Sequence, residues 1–168
     1  MPFLSSFAQR KKIDYFLRPI CKNAKILEIG CADQWVGRYL KENGWTDYTG
    51  IDLVPPADYV GSIKDWKSFG LKAESFDVIV AFEIMEHVDC FQECYDLLKN
   101  NGKLLITTPV PSMDPILEIL EYLGLNQKRT SPHQFLVDLK QVQNFPKKQI
   151  RTVAYLSQWA IFEKQNNP

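Results

Sequence analysis

Short apolar runs alternate with amphipathic stretches along most of this chain. The run at residues 75–82 carries three β-branched residues in its middle, which is typical of a strand. Residues 24–29 and 103–108 are apolar enough to be buried on both faces, as parallel strands are. The amphipathic stretches have the helical period and end at Gly, Asn-Gly or Pro. We therefore predict helices at 6–17, 35–42, 91–99, 113–123 and 134–143, at best a weak helix at 65–71, and strands at 24–29, 47–53, 59–63, 75–82 and 103–108.

The last part of the chain has a different pattern. Residues 150–156 and 158–163 are predicted as two strands with only a tight connection between them. A turn that short joins antiparallel neighbours and leaves no room for a crossover. We therefore expect an alternating β/α sheet that finishes in an antiparallel hairpin. The chain has 168 residues, a length that predicts one domain over residues 1–168, with an N-terminal helix at 6–17 and a core at 24–163.

Composition is that of a globular protein and narrows the choice of partners. Hydrophobic residues make up 45% of the chain and charged residues 24%. The 20 basic and 20 acidic side chains give zero formal net charge. Nucleic-acid binding is not expected, because phosphate backbones attract a clustered basic excess. The one basic run, Arg10-Lys11-Lys12, is predicted to form the solvated face of the first helix.

Targeting signals and cysteine usage both favour a cytoplasmic protein. No apolar run has the length of a membrane span, and the first residues lack a signal-peptide pattern. The cysteines follow no disulfide framework, so we expect reduced thiols. His87, Cys90 and Cys94 could suggest a metal site, but no fourth ligand or paired CxxC motif accompanies them, so we predict apolar packing of the cysteines and no metal. The four cysteines are Cys21, Cys31, Cys90 and Cys94.

The sequence at residues 25–34 carries the strongest chemical signal. An apolar run there contains Glu28, a glycine turn follows at Gly30, and a helical pattern begins soon after. Asp52 closes a second apolar run roughly 20 residues further on, the spacing of a ribose-binding carboxylate. Small residues let a ligand approach the backbone closely, and a carboxylate accepts hydrogen bonds from sugar hydroxyls. The pattern therefore predicts an α/β sheet that binds a nucleoside-bearing cofactor.

Four segments in this order resemble the class I S-adenosylmethionine-dependent methyltransferases, over about residues 25–163. The similarity is greatest to the small-molecule branch, in which the fourth strand runs into a Glu-His pair. The resemblance implies an α/β fold, a Rossmann-like seven-stranded mostly parallel sheet with helices on both faces and a C-terminal antiparallel hairpin. It also implies S-adenosylmethionine as the donor and an oxygen or nitrogen acceptor atom on a small or mid-sized molecule. The segments are residues 26–31 (ILEIGC), 50–52 (GID), 76–88 (FDVIVAFEIMEHV) and 97–109 (LLKNNGKLLITTP).

The resemblance assigns roles to residues around the glycine turn. Gly30 would let the backbone pass close to the methionine part of the donor, Glu28 would orient its ammonium, and Asp52 would accept both ribose hydroxyls. Gly30 alone could be an ordinary turn glycine, and Asp52 a capping residue. Leu53 and Ile63 would sandwich the adenine ring, or belong to the core. The implied cofactor-binding residues are Glu28, Gly30, Cys31, Asp52, Leu53, Ser62, Ile63 and Phe82.

Three positions depart from the family pattern. Ala32 replaces a usual second glycine, which is tolerable where φ stays negative. Gln34 replaces a frequent third glycine and adds bulk beside the path of the donor. Ser62 replaces a common acidic residue, so it would offer adenine a neutral hydrogen bond. These departures predict weaker donor binding than is usual.

His87 is the predicted catalytic residue. It follows the fourth strand, where the acceptor should lie, and an imidazole can take a proton from a hydroxyl or amine. Glu83 or Glu86 could orient it, although His87 could also be structural, because placement alone accelerates many methyl transfers. His133 precedes a predicted helix, where the resemblance would allow a substrate-facing residue, but a capping or surface role is the expectation.

Other functions remain open on the sequence alone. The apolar residues of 113–123 could line an acceptor pocket, form a lid or make a dimer contact, with core packing as the default. The compact chain suggests a small-molecule acceptor, presented by a pathway partner or held at a homodimer edge. A nucleotide-dependent oxidoreductase on a related fold is disfavoured by the single glycine motif and the hairpin. A non-catalytic cofactor-binding partner subunit is motivated by Ala32, Gln34 and Ser62.

Overall fold

The computed structural model describes residues 3–125 and 135–165. The described residues form one seven-stranded sheet with strands β1 (Ile26–Ile29), β2 (Tyr48–Asp52), β3 (Tyr59–Val60), β4 (Phe76–Phe82), β5 (Leu98–Pro109), β6 (Lys147–Val153) and β7 (Ser157–Glu163). Their order is β3-β2-β1-β4-β5-β7-β6. The first five strands run parallel, whereas β7 is antiparallel to both β5 and β6. The predicted fold class is confirmed.

Helices cover both faces of the sheet, because each buried strand carries apolar side chains on both sides. Phe16 and Leu40 pack with Ile26 on one face, and Cys94 packs with Leu27 on the other. The first face therefore carries the N-terminal segment and α2, and the second carries α3. The α-helices are α1 (Phe3–Lys12), α2 (Trp35–Glu42), α3 (Phe91–Leu97) and α4 (Asp114–Tyr122).

The N-terminal helix changes type where it meets the sheet. It is α-helical as far as Lys12 and continues as a π-helix over Ile13–Leu17, with the Arg18 N–H donating to the Ile13 carbonyl at 2.9 Å. Single π-helical turns often occur at functional sites. Here the turn contains Phe16 and follows Lys12, and both side chains contact residues at the carboxyl end of β4.

The C-terminal hairpin is confirmed. Its turn contains Ala154 and Tyr155, both with positive φ, and the Leu156 N–H donates to the Val153 carbonyl at 3.1 Å. Positive φ at both central residues defines the type I′ turn, whose twist matches that of the flanking strands. The hairpin places β7 beside β5 and leaves β6 at the edge of the sheet.

The helix predicted at 134–143 is wrong where the structure describes it. Residues 135–143 carry only a short 3-10 turn over Leu139–Gln141, which Asp138 caps through the Lys140 N–H. The buried Gln158 side chain donates to the Val137 carbonyl at 2.8 Å and accepts from the Leu139 N–H at 3.1 Å. These bonds from β7 use backbone groups that a helix would pair internally.

Two weaker predictions are also corrected. The strand predicted at 59–63 ends at Val60 and is followed by the 3-10 turn Ile63–Asp65, capped by the Ser62 hydroxyl. The weak helix predicted at 65–71 is a series of turns.

Helix α4 presents an apolar face to solvent. Ile119 is 58% exposed and Tyr122 is 87% exposed, so core packing is the wrong expectation for this face. Gly124, with φ at +71°, ends the helix where the sequence predicted. No helix of the described residues is long and apolar enough to cross a membrane.

Candidate functional site

The strand order marks where a ligand should bind. The chain runs from β1 to β2 and β3 on one side, then returns to β4 on the other side of β1. In open α/β sheets, ligands bind in the crevice outside the carboxyl ends of the strands where this reversal occurs. The candidate site therefore lies above the carboxyl ends of β1 and β4, between Gly30 and Glu83.

Gly30 meets two steric requirements at this point. Its φ of +72° lies in the left-handed region, and a Cβ there would lie 2.5 Å from Cδ1 of Ile84, in the segment after β4. The Gly30 N–H donates to the Ile51 carbonyl at 2.8 Å, which fixes the turn against β2. Cys31 follows, 1% exposed, and burial raises the pKa of its thiol to about 12. The turn therefore leaves space at the crevice floor and keeps a neutral thiol beneath it.

Two residues that depart from the family pattern, Ala32 and Gln34, have a left-handed backbone conformation. Ala32 has φ of +41° and Gln34 has φ of +57°, so the negative φ that would make alanine tolerable at position 32 is not present. Both residues take the conformation in which glycine would be unstrained. The Gln34 side chain donates to the Pro56 carbonyl, which joins the loops after β1 and β2.

Asp52 lies at the carboxyl end of β2 and joins these loops. One carboxylate oxygen accepts from the Ala32 N–H at 2.7 Å, and the other accepts from the Val54 N–H at 3.2 Å. Each oxygen has two lone pairs, so both retain capacity for a further donor. The neighbouring Leu53 side chain is 72% exposed and offers an apolar surface beside the carboxylate.

Glu28 is buried beneath the same turn. It is 3% exposed and accepts a hydrogen bond from the Tyr48 hydroxyl. Burial raises the pKa of Glu28 to about 8 against the opposing effect of the Tyr48 hydrogen bond, and the negative charges of Asp33 and Asp52 raise it further. Glu28 is therefore mostly a neutral acid at pH 7 in the free protein.

The two residues predicted beyond β3 have structural contacts of their own. The Ser62 hydroxyl accepts from the Lys64 N–H at 3.2 Å and so caps the 3-10 turn. The Ile63 side chain is 3% exposed and lies in the core with Leu27 and Ile51. It leaves little surface for an adenine ring, whereas Leu53 leaves much.

Aromatic and basic residues cover the carboxyl end of β4. The Phe82 ring lies 5.2 Å from the Phe16 ring and 6.1 Å from the Trp35 ring, between centroids. The Lys12 ammonium lies 5.2 Å from the centroid of the Phe82 ring. Lys12 is 8% exposed, so the prediction that it belongs to a solvated helix face is wrong.

A carboxyl pair follows β4. Glu83, with φ of +55°, accepts from the Lys12 ammonium at 2.7 Å and from the Thr107 hydroxyl at 2.9 Å. Burial opposes ionisation of Glu83, but the Lys12 charge and these hydrogen bonds outweigh it and lower its pKa. Glu86 is 1% exposed and accepts from Thr108 at 2.9 Å; burial and then the charge of Glu83 raise its pKa to about 8. The pair therefore holds one charged and one neutral carboxyl near pH 7.

The structure places His87 in the turn between β4 and α3. The His87 side chain is half-buried, and the backbone N–H of His87 donates to the Ile84 backbone carbonyl at 2.9 Å. Orientation of His87 by Glu83 or Glu86 stays a prediction. His133 lies outside the described residues. Among the described residues, no three His, Cys, Asp or Glu side chains are grouped as a metal site would require.

Sequence reasoning missed part of this cluster. It noted the two glutamates but not Lys12, Thr107 and Thr108, which hold them. The signal for the threonines was present, because they end the fifth buried strand beside the fourth. Lys12 gave no comparable signal. The π-helix that follows it cannot be recognised from the spacing of apolar residues.

Comparison with known proteins finds similarity to methyltransferases. The family model for a methyltransferase domain matches residues 5–152. A ubiquinone biosynthesis O-methyltransferase of Histophilus somni (strain 2336) is 32% identical over 106 residues. That alignment covers 50% of this chain and 44% of the relative, so the chain spans less than half the length of the curated protein it matches.

Two solved structures share the fold at low sequence identity. The Haemonchus contortus phospholethanolamine N-methyltransferase 2, in complex with phosphomonomethylethanolamine and S-adenosylhomocysteine, has a TM-score of 0.65 and 13% identity, covering 95% of this chain and 53% of that one. A SAM-dependent methyltransferase from Methanosarcina mazei has a TM-score of 0.64 and 16% identity, covering 90% and 97%. Because the family model matches residues 5–152, which is most of the chain, this chain belongs to the methyltransferase domain family.

Proposed function

We propose that this chain transfers a methyl group from S-adenosylmethionine to an oxygen or nitrogen atom of a small or mid-sized acceptor. The observation that carries the proposal is the Asp52 carboxylate, held at the end of β2 by two backbone N–H groups with its remaining lone pairs available. When bound, the donor supplies a methyl group that its sulfonium already activates. The task of this chain is then to hold the donor, align the acceptor and accept a proton.

The residues around β1 and β2 fit such a donor. The Gly30 turn leaves a cradle that a Cβ would fill, Asp52 can accept the ribose hydroxyls, and the exposed Leu53 can cover one face of adenine. Glu28 lies below the turn and can pair with an ammonium. Cys31, Ser62, Ile63 and Phe82 remain proposed neighbours of the donor, with Ser62 and Ile63 contributing mainly through the backbone they fix.

The acceptor would lie above the carboxyl end of β4. Glu83, Glu86 and His87 follow that strand, next to the Ile84 side chain that lies against Gly30. We assign His87 as the group that takes the proton of the acceptor hydroxyl or amine as the new bond to the methyl carbon forms. The ordered placement of both reactants supplies the rest of the acceleration.

The partner and its compartment are also proposals. A small-molecule acceptor fits a chain whose family match extends over residues 5–152. The exposed face of α4 could make a homodimer or pathway-partner contact. The four cysteines, all described, are free thiols, which supports a reducing compartment such as the cytoplasm.

Binding of S-adenosylhomocysteine to the Asp52→Asn variant tests the donor site. Asparagine keeps one acceptor oxygen but loses the charge, and hydrogen bonds to a charged group contribute about 1.5–3 kcal/mol. We expect calorimetry to show affinity about 10- to 100-fold weaker than in the unaltered protein. Asp47→Asn, at an exposed aspartate just before β2, is the matched control and should bind normally. Equal affinity of all three proteins would remove Asp52 from the donor site, and no binding to the unaltered protein would refute the function.

A panel of phenols, alcohols and amines tests the acceptor side, with release of S-adenosylhomocysteine as the signal. With any acceptor that reacts, His87→Gln should lower kcat by about 10²- to 10⁴-fold and leave KM nearly unchanged. A variant with full kcat would mean that placement alone drives the transfer. Binding without turnover of any acceptor would instead favour the non-catalytic subunit.

A further inference from the structure

A narrow slot between β1, β2 and α2 holds the Tyr48 ring. A Cβ at Gly37, in α2, would lie 2.7 Å from the ring carbon Cε1 of Tyr48. A Cβ at Gly50, in β2, would lie 3.0 Å from the Tyr48 hydroxyl oxygen. Two glycines therefore leave the space that this ring and its hydroxyl occupy, one in the helix and one in the strand.

The hydroxyl at the end of this slot donates to Glu28. That carboxyl lies on β1, two residues before Gly30, and is 3% exposed. Burying a carboxyl in a strand lowers the stability of the fold unless its polar atoms find partners. The Tyr48 hydroxyl supplies one hydrogen bond but no positive charge.

The groups around Glu28 are acids. Tyr48 and Asp52 face it from β2, and Asp33 and Cys31 face it from the loop after β1. Burial is the largest effect on the pKa of Glu28, and the charges of Asp33 and Asp52 act in the same direction. This environment disfavours a further negative charge until a cation arrives.

We infer that Tyr48 is a positioning residue for donor binding, holding the Glu28 carboxyl under the Gly30 turn, and that Glu28 releases its proton to solvent when the ligand ammonium binds there. The inference rests on the proposed function, because the ammonium is that of S-adenosylmethionine or S-adenosylhomocysteine. The proton balance is simple: a neutral acid and an ammonium become a carboxylate–ammonium pair, and one proton leaves per ligand bound.

The sign of the pH dependence follows from this exchange. Below about pH 8 the free protein holds the proton that the complex lacks. Raising the pH therefore favours the complex, by up to about tenfold in affinity per pH unit. Between pH 6.0 and 7.5 we expect the affinity for S-adenosylhomocysteine to rise by about 25-fold, provided that the pKa of Glu28 in the complex lies below that range.

Calorimetry in two buffers measures the proton directly. Titrations of S-adenosylhomocysteine at pH 7.0 in phosphate and in Tris should differ in heat by the ionisation enthalpy of about one proton per site. The ligand 5′-methylthioadenosine, which carries the adenosyl group without the amino acid, should bind with no such difference. A carboxyl carbon NMR titration of Glu28 in the free protein gives a second readout that needs no ligand.

The Tyr48→Phe variant tests the positioning role. It keeps the ring in its slot and removes the hydrogen bond that favours ionised Glu28, so the NMR midpoint of Glu28 should rise. Affinity for S-adenosylhomocysteine at pH 7.0 should fall by about 10-fold or more, whereas affinity for 5′-methylthioadenosine should not change. The matched control is Tyr39→Phe, a half-buried tyrosine of α2 whose ring lies 6.2 Å from that of Trp45. Its binding and its Glu28 midpoint should both be unchanged.

The outcomes separate this inference from the proposed function. Binding of S-adenosylhomocysteine without proton release overturns the inference and leaves the function intact. Equal weakening of both ligands in Tyr48→Phe also overturns it, since the ring would then act only on the fold. Failure of the unaltered protein to bind S-adenosylhomocysteine removes the function and this inference together.

Discussion

Replacing Glu86 with glutamine should make the stability of the protein less sensitive to pH. Glu86 is 1% exposed, lies next to Glu83 and accepts a hydrogen bond from Thr108. Glutamine has the same shape, can still accept from Thr108 and cannot ionise. The variant therefore removes only the titration of this carboxyl.

The size of the effect follows from the pKa of Glu86 in the two states. Burial and the charge of Glu83 raise it from 4.5 to about 8 in the folded protein. Between these values the folded protein binds more protons than the unfolded chain, so the free energy of unfolding falls as pH rises. Each pH unit in that window corresponds to about 1.4 kcal/mol, and the interval from pH 5 to 8 to about 3–4 kcal/mol.

Urea denaturation at pH 5, 6, 7 and 8 measures this change. The free energy of unfolding of Glu86→Gln, relative to the unaltered protein, should increase steadily by about 3–4 kcal/mol over the series. Glu28 titrates in the same window in both proteins, so it cancels in the difference. Glu42→Gln, at an exposed position of α2, should follow the unaltered protein throughout. If Glu86→Gln also ran parallel to the unaltered protein, Glu86 would be ionised in the fold and the reasoning refuted.

Two further substitutions test the fold around the site. Gly30→Ala and Gly124→Ala have nearly the same φ, +72° and +71°, but only the first places a Cβ against Ile84. In thermal or urea denaturation we expect losses of about 2–4 and about 1 kcal/mol respectively, and equal losses would show that contact with Ile84 is unimportant. Lys164→Met removes a 5% exposed ammonium that donates to one carboxylate and two carbonyl oxygens, and should cost about 2–4 kcal/mol. Lys103→Met, at an exposed lysine of β5, should cost far less, and a similar loss in both would refute a specific role for Lys164.

The sheet could be predicted from sequence because its strands are short apolar runs closed by turn residues. Helix α2 was also predicted at its observed bounds, since Asn43-Gly44 follows a clear apolar stripe. The region after α4 could not be predicted in this way. There the Gln158 side chain, about 20 residues further along the chain, bonds the backbone at Val137 and Leu139, and the local pattern of apolar residues does not reveal that contact.

The residues of the candidate site also differ in whether local sequence could identify them. Gly30 and Asp52 were identified from a local motif, and the structure places both at the reversal in strand order. Lys12 was misassigned because its sequence neighbours, Arg10 and Lys11, are exposed and basic. In the structure its ammonium contacts the carboxylate of Glu83 and the ring of Phe82, and local sequence shows neither contact.

Buried carboxyl groups lie on both sides of the crevice, but their partners differ. On the side proposed for the acceptor, Lys12 keeps Glu83 charged while Glu86 stays neutral. On the side proposed for the donor, Glu28 has a hydroxyl for a partner and acids for neighbours. A buried carboxyl with no base beside it is the less stable arrangement in the free protein. That arrangement becomes favourable once a cationic ligand takes the position that Lys12 holds on the other side, which is why donor binding, and not folding, should set the charge of Glu28.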